Sequence, residues 1–443
     1  MRKRIFTAIL LGCIPFCLLN AQSQQEGTLS LSIEQAQKYA IEHNYLMKNA
    51  SLEIKKAEAT KWYAISTMLP QATGALDYTS MLGYEMTMEM PIGANPITGE
   101  VITNTIKIPT KPTSNFTVQA AIAVSGAQII SSTLGKIAVE MQKTNHQKTE
   151  QDIRTQVYRV YFAILAMENT LELMHQNMKN MLILEKSAQK AVDVGVSEQT
   201  DVDLISVQVS SLQNGISAIQ RHLEVLYNSL RLLLGVSMNT QISLSETIKE
   251  ILDVEYTYKL LQEGFSFSNN LDYQLVEKST LLAKKQVRLN EWSYGPTFSA
   301  FYQYTAKIQK TNFDMSPPNV AGFSLNFPIF SSGGRFVKVK EAKYNFQVAL
   351  NSLKMLKDHL EVQNKQLRYN LLSGLEDYET QEKTIEVSQR VFNSISNKFQ
   401  HGIASSLDVT QSSMSLINAQ SNYIQAMLNL VNAQIELEKL LNK

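Results

Sequence analysis

The chain has 443 residues, of which 44% are apolar and 18% charged, with 41 basic and 40 acidic side chains. A composition this apolar excludes a disordered chain, and the even charge balance gives no sign of a nucleic-acid partner. After residue 21 no run reaches the ~18 consecutive apolar residues of a transmembrane helix, so any membrane crossing has to be made by strands.

In chain order, Arg2, Lys3 and Arg4 precede an apolar run from Ile5 to Leu19, and Ala21 offers a small residue for cleavage. This predicts a secretory signal over residues 1–21. A lipoprotein signal ending at Cys13 is the alternative. Cleavage after residue 21 removes three basic residues and leaves 38 against 40 acids. Both cysteines, Cys13 and Cys17, leave with the signal, so the exported chain has no disulfide or thiol chemistry.

The remaining prolines cluster at 70–112 and 296–328, and residues 136–295 and 329–443 contain none. Proline-free tracts permit long helices. Ile153, Val157, Val160, Ile164, Met167, Leu171, Met174, Met178 and Met181 alternate spacings of three and four. So do Val202, Ile205, Val209, Leu212, Ile216, Ile219, Leu223, Leu226, Leu230 and Leu233. Leu407, Met414, Ile417, Ile424, Leu428, Val431 and Ile435 form a similar stripe near the C-terminus. These are coiled-coil seams. A helix over residues 136–192 would run ~85 Å at 1.5 Å per residue.

The proline-bearing tracts have period two. Leu76, Tyr78, Leu82, Tyr84, Met86, Met88 and Met90 share one parity. Phe116, Val118, Ala120, Ile122 and Val124 form a second run, Phe298, Ala300, Tyr302, Tyr304 and Ile308 a third, and Phe323, Leu325, Phe327 and Ile329 a fourth. Such strands fit a soluble sheet packed on helices as well as a membrane barrel. The segment from Pro91 to Pro112 reads as a long loop.

The order of helix, strand pair and long helical hairpin occurs twice, over residues 22–236 and 268–443. The first copy has strands at about 72–125 and a hairpin at about 136–236. The second has strands at about 296–330 and a hairpin at about 332–443. Residues 237–267 link them. Asn44-Tyr45-Leu46 opens one copy as Asn269-Asn270-Leu271 opens the other. VGVSEQTDV (194–202) matches HGIASSLDV (401–409), and each reads as a turn between two helices. IISSTLGK (129–136) aligns with PIFSSGGR (328–335) at an offset of 199, against 207 at the turns. Either the second long helix is about eight residues longer or that first match is out of register.

The Leu31–Ala36 opening, Asn44, the stretch from Phe327 to Arg335 and the duplicated hairpins together resemble the TolC-like outer-membrane efflux family. The resemblance covers essentially the whole exported chain. It implies an α+β membrane protein with a long helical coiled-coil barrel. Four strands per protomer would join a homotrimeric 12-stranded outer-membrane barrel. The implied function is an exit duct of a tripartite efflux or type I secretion system, passive and without cofactor. Its partners would be outer-membrane lipid, a periplasmic adaptor and, through it, an inner-membrane pump, with the tube in the periplasm of a Gram-negative bacterium.

By the same resemblance the helix turns close the inner end of the tube. Asp201 and Asp408 match the family's aspartates and would ring the lumen, where acidic rings favour cations. Each also sits in a first helical turn, where an acid complements the macrodipole, and Ser405 and Asp408 have capping-box spacing. Three positions depart from the family: Gln411 replaces a second acid, Ala404 a latching arginine, and Phe399 lacks a hydroxyl. Apolar packing around Phe399 and Ile403 is therefore expected to hold the gate. Val194, Gly195, Val196, His401, Gly402 and Ile403 would form the adaptor-facing tips; glycine there also permits the left-handed conformation that ends a helix.

Competing readings are a structural coiled-coil protein of the periplasm or cell surface, a periplasmic adaptor and an enzyme. The first leaves the strand pairs unexplained. An adaptor would carry one long hairpin where this chain has two. For an enzyme, the six histidines are dispersed without a ligand motif.

Overall fold

The computed structural model describes residues 29–109, 111–309 and 317–443. The expected signal peptide and Cys13 lie outside them. The elements in order are β1 (Leu29–Leu31), α1 (Ile33–His43), α2 (Tyr45–Ser66), β2 (Gln71–Thr79), β3 (Glu85–Ala94), β4 (Val101–Pro109), β5 (Thr113–Ser125), α3 (Gly126–Asp193) and α4 (Gln199–Leu234). Then come β6 (Ile242–Leu244), α5 (Ile248–Ile251), α6 (Val254–Gln262), α7 (Leu271–Glu291), β7 (Thr297–Gln309), β8 (Asn319–Asn326), α8 (Gly334–Gln400) and α9 (Ser406–Leu441).

One antiparallel sheet has the order β2-β5-β7-β8. Its register sorts the side chains. Ile122 lies opposite Ala300, which lies opposite Phe323; Val124 lies opposite Phe298, which lies opposite Leu325. On the other face Gln119 lies opposite Gln303, and Ser299 lies between Ala123 and Ser324. The Ser299 and Ser324 hydroxyls are 2.7 Å apart. One face is thus apolar and aromatic and the other mostly polar and small, with Phe301 and Val320 its larger apolar residues, and Leu76, Phe298, Phe323 and Leu325 are all exposed in the single chain.

Helices continue the strands. α2 leads into β2, β5 runs straight into α3, α7 leads into β7, and β8 leads into α8. The β5–α3 junction is a capping box: the Ser125 backbone N–H donates to Gln128 Oε1 at 2.8 Å while Ser125 Oγ accepts from the Gln128 N–H. Contacts place α2 beside α3, α3 beside α7 and α7 beside α8, so the palisade of helices repeats the order of the strands. At ~1.5 Å per residue, α3 with its 68 residues and α8 with 67 each run about 100 Å.

Below the sheet, α4 folds back on α3 and α9 on α8. Tyr161, Ile164, Leu230 and Leu234 fill one core with α1, and Phe162, Leu371, Leu430 and Leu437 fill a second. A third core near the turns joins all four long helices through Met181, Leu184, Ile205, Leu212, Phe392, Val409 and Leu416. Residues between the two hairpins are structured as well: β6 pairs with β1 in parallel, and α5 and α6 follow. Among the described residues no helix is long and apolar enough to cross a membrane.

Several expectations need correction. α3 begins at Gly126, not near 136, because the Ser125 cap starts it ten residues earlier. α3 and α8 are therefore equal to within one residue, and the 129–136 match is out of register; Gly126, not Gly135, is the counterpart of Gly334. The period-two run from Leu76 to Met90 is two strands in different sheets. Leu82 and Gly83, with φ of 45° and 84°, turn the chain between β2 and β3. Residues 91–112 are not a simple loop, since β3 and β4 pair from Glu85↔Pro109 to Ala94↔Val101. The fourth strand ends at Asn326, so Phe327 and Ile329 lie beyond it. On α9 the stripe starts out of phase: Leu407 and Met414 face outward, while Ser406, Val409, Ser413 and Leu416 are buried. Small hydroxyl-bearing residues let α9 pack closely there, and Thr410 Oγ1 donates to its own helix's Ser406 carbonyl at 2.8 Å.

Candidate functional site

The two turns end their helices in the same way. After α3 the Val196 N–H donates to the Ala191 carbonyl and the Gly195 N–H to Val192, both at 2.9 Å. After α8 the Ile403 N–H donates to Lys398 at 2.8 Å and the Gly402 N–H to Phe399 at 2.9 Å. This Schellman pattern needs a left-handed residue, and Gly195 and Gly402 supply it with φ of 77° and 73°. Val194, Val196 and Ile403 are 74%, 76% and 76% exposed, so each tip offers bare apolar side chains beside its glycine. His401 is exposed too, its Nδ1 2.7 Å from the Asn397 carbonyl.

The two aspartates have different surroundings. Asp408 closes a complete capping box: its Oδ2 accepts from the Ser405 N–H at 2.9 Å and from Ser405 Oγ at 2.7 Å, and its own N–H donates to Ser405 Oγ at 3.1 Å. These bonds lower its carboxyl below the ordinary range, the backbone bond most. Its side chain remains exposed and available to face an aqueous space.

Asp201 instead bridges the two hairpins. Its carboxylate accepts from Ser197 Oγ in its own turn and from Ser406 Oγ at the start of α9. Hydrogen bonds from Ser197 and then Ser406 hold its carboxyl below the ordinary range. Ser406, though buried, carries no sequence signal beyond its place in a serine-rich turn. A second polar link missed from sequence lies further up the bundle, where Asn177 Nδ2 donates to Gln420 Oε1 at 2.6 Å, both residues buried.

Phe399 is half-buried against the core that holds Phe392 and Val409, whereas Ile403 is exposed and makes no part of that core. Of Phe399 and Ile403, Phe399 is thus the one that packs against the core within one chain. Gln411 is exposed one turn beyond Asp408. Among the described residues no group of three or more His, Cys, Asp or Glu converges as a metal site.

The family model described as outer membrane efflux protein matches residues 267–443. No curated protein matches the chain in sequence. Solved structures do match its fold. The outer membrane protein VceC of Vibrio cholerae superimposes with a TM-score of 0.73 at 16% identity, over 92% of this chain and 95% of its own. The Campylobacter jejuni CmeC outer membrane channel gives 0.71 at 13% identity, over 92% and 85%. The open state of the Neisseria gonorrhoeae MtrE outer membrane channel gives 0.73 at 15% identity, over 92% and 88%. The TolC-like resemblance read from sequence is borne out, in fold over nearly the whole chain and in family over its C-terminal part. The expected α+β architecture, with a helical barrel portion, strands and internal duplication, is that of this efflux-protein fold.

Proposed function

We propose that the protein is the outer-membrane exit duct of a tripartite efflux or type I secretion system, a homotrimer that conducts passively from periplasm to exterior. One observation carries the reading: in a four-stranded sheet with an apolar and a largely polar face, β5 runs straight into α3 and β8 leads through a short connection into α8, each helix about 100 Å long. Apolar residues on the outer face meet lipid and polar residues line the lumen. Among the described residues, β2 and β8 each pair on one side only. An open edge cannot stand in lipid, so each edge has to be closed by a neighbour, and three copies give twelve strands.

The helices agree. Val348, Met355, Val362 and Tyr369 are exposed along α8 at spacings of seven. That is an apolar seam with no partner among the described residues, suited to a neighbouring protomer. The exposed Val194, Val196 and Ile403 tips suit the helical hairpins of a periplasmic adaptor, which in turn connects to the inner-membrane pump. Asp408 is assigned to a lumen ring at the inner mouth, with Gln411 next to it. Asp201 has a carboxylate already engaged by Ser197 and Ser406, so its assignment is to tie the two tips within a protomer as well as to add charge.

The test is mass measurement of the detergent-extracted protein together with single-channel recording in planar bilayers. A threefold particle with steady, unbranched conductance supports the duct. A monomeric or dimeric rod that leaves bilayers silent would replace it with the structural coiled-coil reading.

A further inference from the structure

The palisade places α2, α3, α7 and α8 side by side at one level where they meet the sheet. In the twelve residues of each helix next to the sheet (55–66, 126–137, 280–291 and 334–345) there are eleven basic and three acidic residues. The exported chain as a whole is slightly acidic, so this level holds +8 per protomer while the remainder holds −10. Three acids cannot neutralise eleven bases: Glu291 lies 3.9 Å from Lys343, and Lys56 pairs with Glu53 just beyond the level at 3.2 Å, but Lys284, Arg288, Lys338 and Lys340 are exposed.

The same level carries aromatic residues. Trp62, Tyr63, Trp292, Tyr294 and Tyr344 are exposed, and Lys340 lies 5.8 Å from the Tyr344 ring centre. Trp292 is fixed by the junction itself, since a Cβ on Gly126 would come within 2.1 Å of its ring. Trp and Tyr bodies beside an apolar sheet mark the depth of a membrane–water boundary, and clustered Lys and Arg there attract anionic headgroups.

We propose that this collar is a binding surface for anionic phospholipid headgroups in the leaflet from which the helices emerge. The inference rests on the duct reading, which sets the apolar sheet in the membrane. Its charge complements the headgroup phosphates, and its position is continuous with the lipid-facing sheet. Long lysine stems cover apolar surface while their ammonium groups reach the phosphates. A trimer would present +24 in one ring, and ordinary salt would screen it only beyond ~8 Å.

The experiment uses the full-length trimer in phosphatidylcholine membranes containing a trace of spin-labelled phosphatidylglycerol or phosphatidylethanolamine. The expected result is at least a twofold preference for phosphatidylglycerol at low salt, falling toward one in 1 M salt. The preference should also fall toward one when Lys284, Lys338 and Lys340 are changed together to Gln. Equal association of the two lipids with the unmodified trimer overturns the proposal, as does a preference that ignores salt. If the triple substitution leaves the lipid preference intact but shifts anion selectivity of the conductance, the collar faces the lumen and the proposal fails. Conductance of the same trimer is recorded alongside: a conducting trimer without lipid preference refutes only the collar, and a silent sample refutes the duct beneath it.

Discussion

Asn44 donates its side-chain amide to the Leu233 carbonyl at 2.8 Å, across 189 residues of chain. Its own Oδ1 accepts the Leu46 N–H at 2.7 Å and starts α2. Asn270 repeats the arrangement in the second half, donating to the Leu440 carbonyl at 3.1 Å and capping α7 through the Tyr273 N–H at 3.0 Å. Just beyond each acceptor the chain turns left-handed, at Gly235 with φ 69° and at Asn442 with φ 60°. One asparagine in each half therefore begins a short helix and fastens it to the end of that half's returning long helix.

Asn44→Ala and Asn270→Ala each remove a cap and a buried hydrogen bond, and each should destabilise by about 2 kcal/mol. The sites are in separate halves, so the double variant should lose about 4 kcal/mol. Denaturant unfolding followed by helical circular dichroism checks this. A double variant no worse than either single one would show that the two anchors act as one unit.

The Asp201 tie gives a pH dependence. Its carboxyl is depressed in the folded protein, so the tie is fully present above the unfolded value near 3.8 and is lost as pH falls through the folded value. Ser406→Ala removes one of the two hydroxyl donors and moves the folded value back up. The variant also lacks the bond between the tips at every pH, so pepsin should cut its turns throughout the acid range, whereas the unmodified protein opens only as pH falls. Cleavage at residues 194–198 and 401–405 read by mass spectrometry across pH 2–5 distinguishes the two proteins. Coincident cleavage curves would mean that Ser197 alone holds the carboxylate.

Much of this arrangement was legible in the residues, and the parts that were not share a cause. Periodicity reports which face of an element is apolar, so the seams of α3 and α4 could be read through Ile153, Val157, Ile205 and Leu212. It reports nothing where the buried face is polar. At the start of α9 the interior is Ser406, Thr410 and Ser413, and the more hydrophobic Leu407 and Met414 drew the stripe to the wrong side. A strand break is also silent when parity continues across it, as it does from Tyr78 through the Leu82–Gly83 turn to Met86. The Asp201–Ser406 bond joins residues 205 positions apart, and pairing of two such common residue types has no local signature.

Two glycine substitutions separate backbone strain from space. A Cβ meets nothing within 4 Å at either Gly402 or Gly334. Gly402 has φ 73°, so Gly402→Ala should destabilise by about 1–2 kcal/mol. Gly334 opens α8 without a positive φ, so Gly334→Ala should stabilise by about 0.5 kcal/mol. Thermal unfolding midpoints moving in opposite directions would bear this out.

Tyr161 is fully buried and its hydroxyl donates to the Leu31 carbonyl at 2.9 Å, joining α3 to the short β1 strand. Burial pushes its phenol up to about 12, so it stays protonated and able to donate through neutral and moderately basic pH. Tyr161→Phe should lose about 1 kcal/mol and speed hydrogen exchange at residues 29–31 and 242–244. Unchanged exchange at these strands would show that the bond does not hold them.

On the duct reading, Asp408→Asn keeps a capping side chain but removes one negative charge per protomer from the proposed inner mouth. Cation selectivity in bilayer recordings should fall, while the unfolding midpoint changes little. Unaltered selectivity would place Asp408 outside the conduction path.

The equal lengths of α3 and α8 make the helices a ruler. One added residue would lengthen a helix by ~1.5 Å and rotate everything below it by ~100°, turning its buried seam away from the neighbours. A longer or shorter relative can therefore be reached only by matched changes in the outgoing and returning helices of both halves, in steps near seven residues, or about 10 Å. On the duct reading, the distance these helices bridge is quantised, and the envelope around them has to meet one of those lengths.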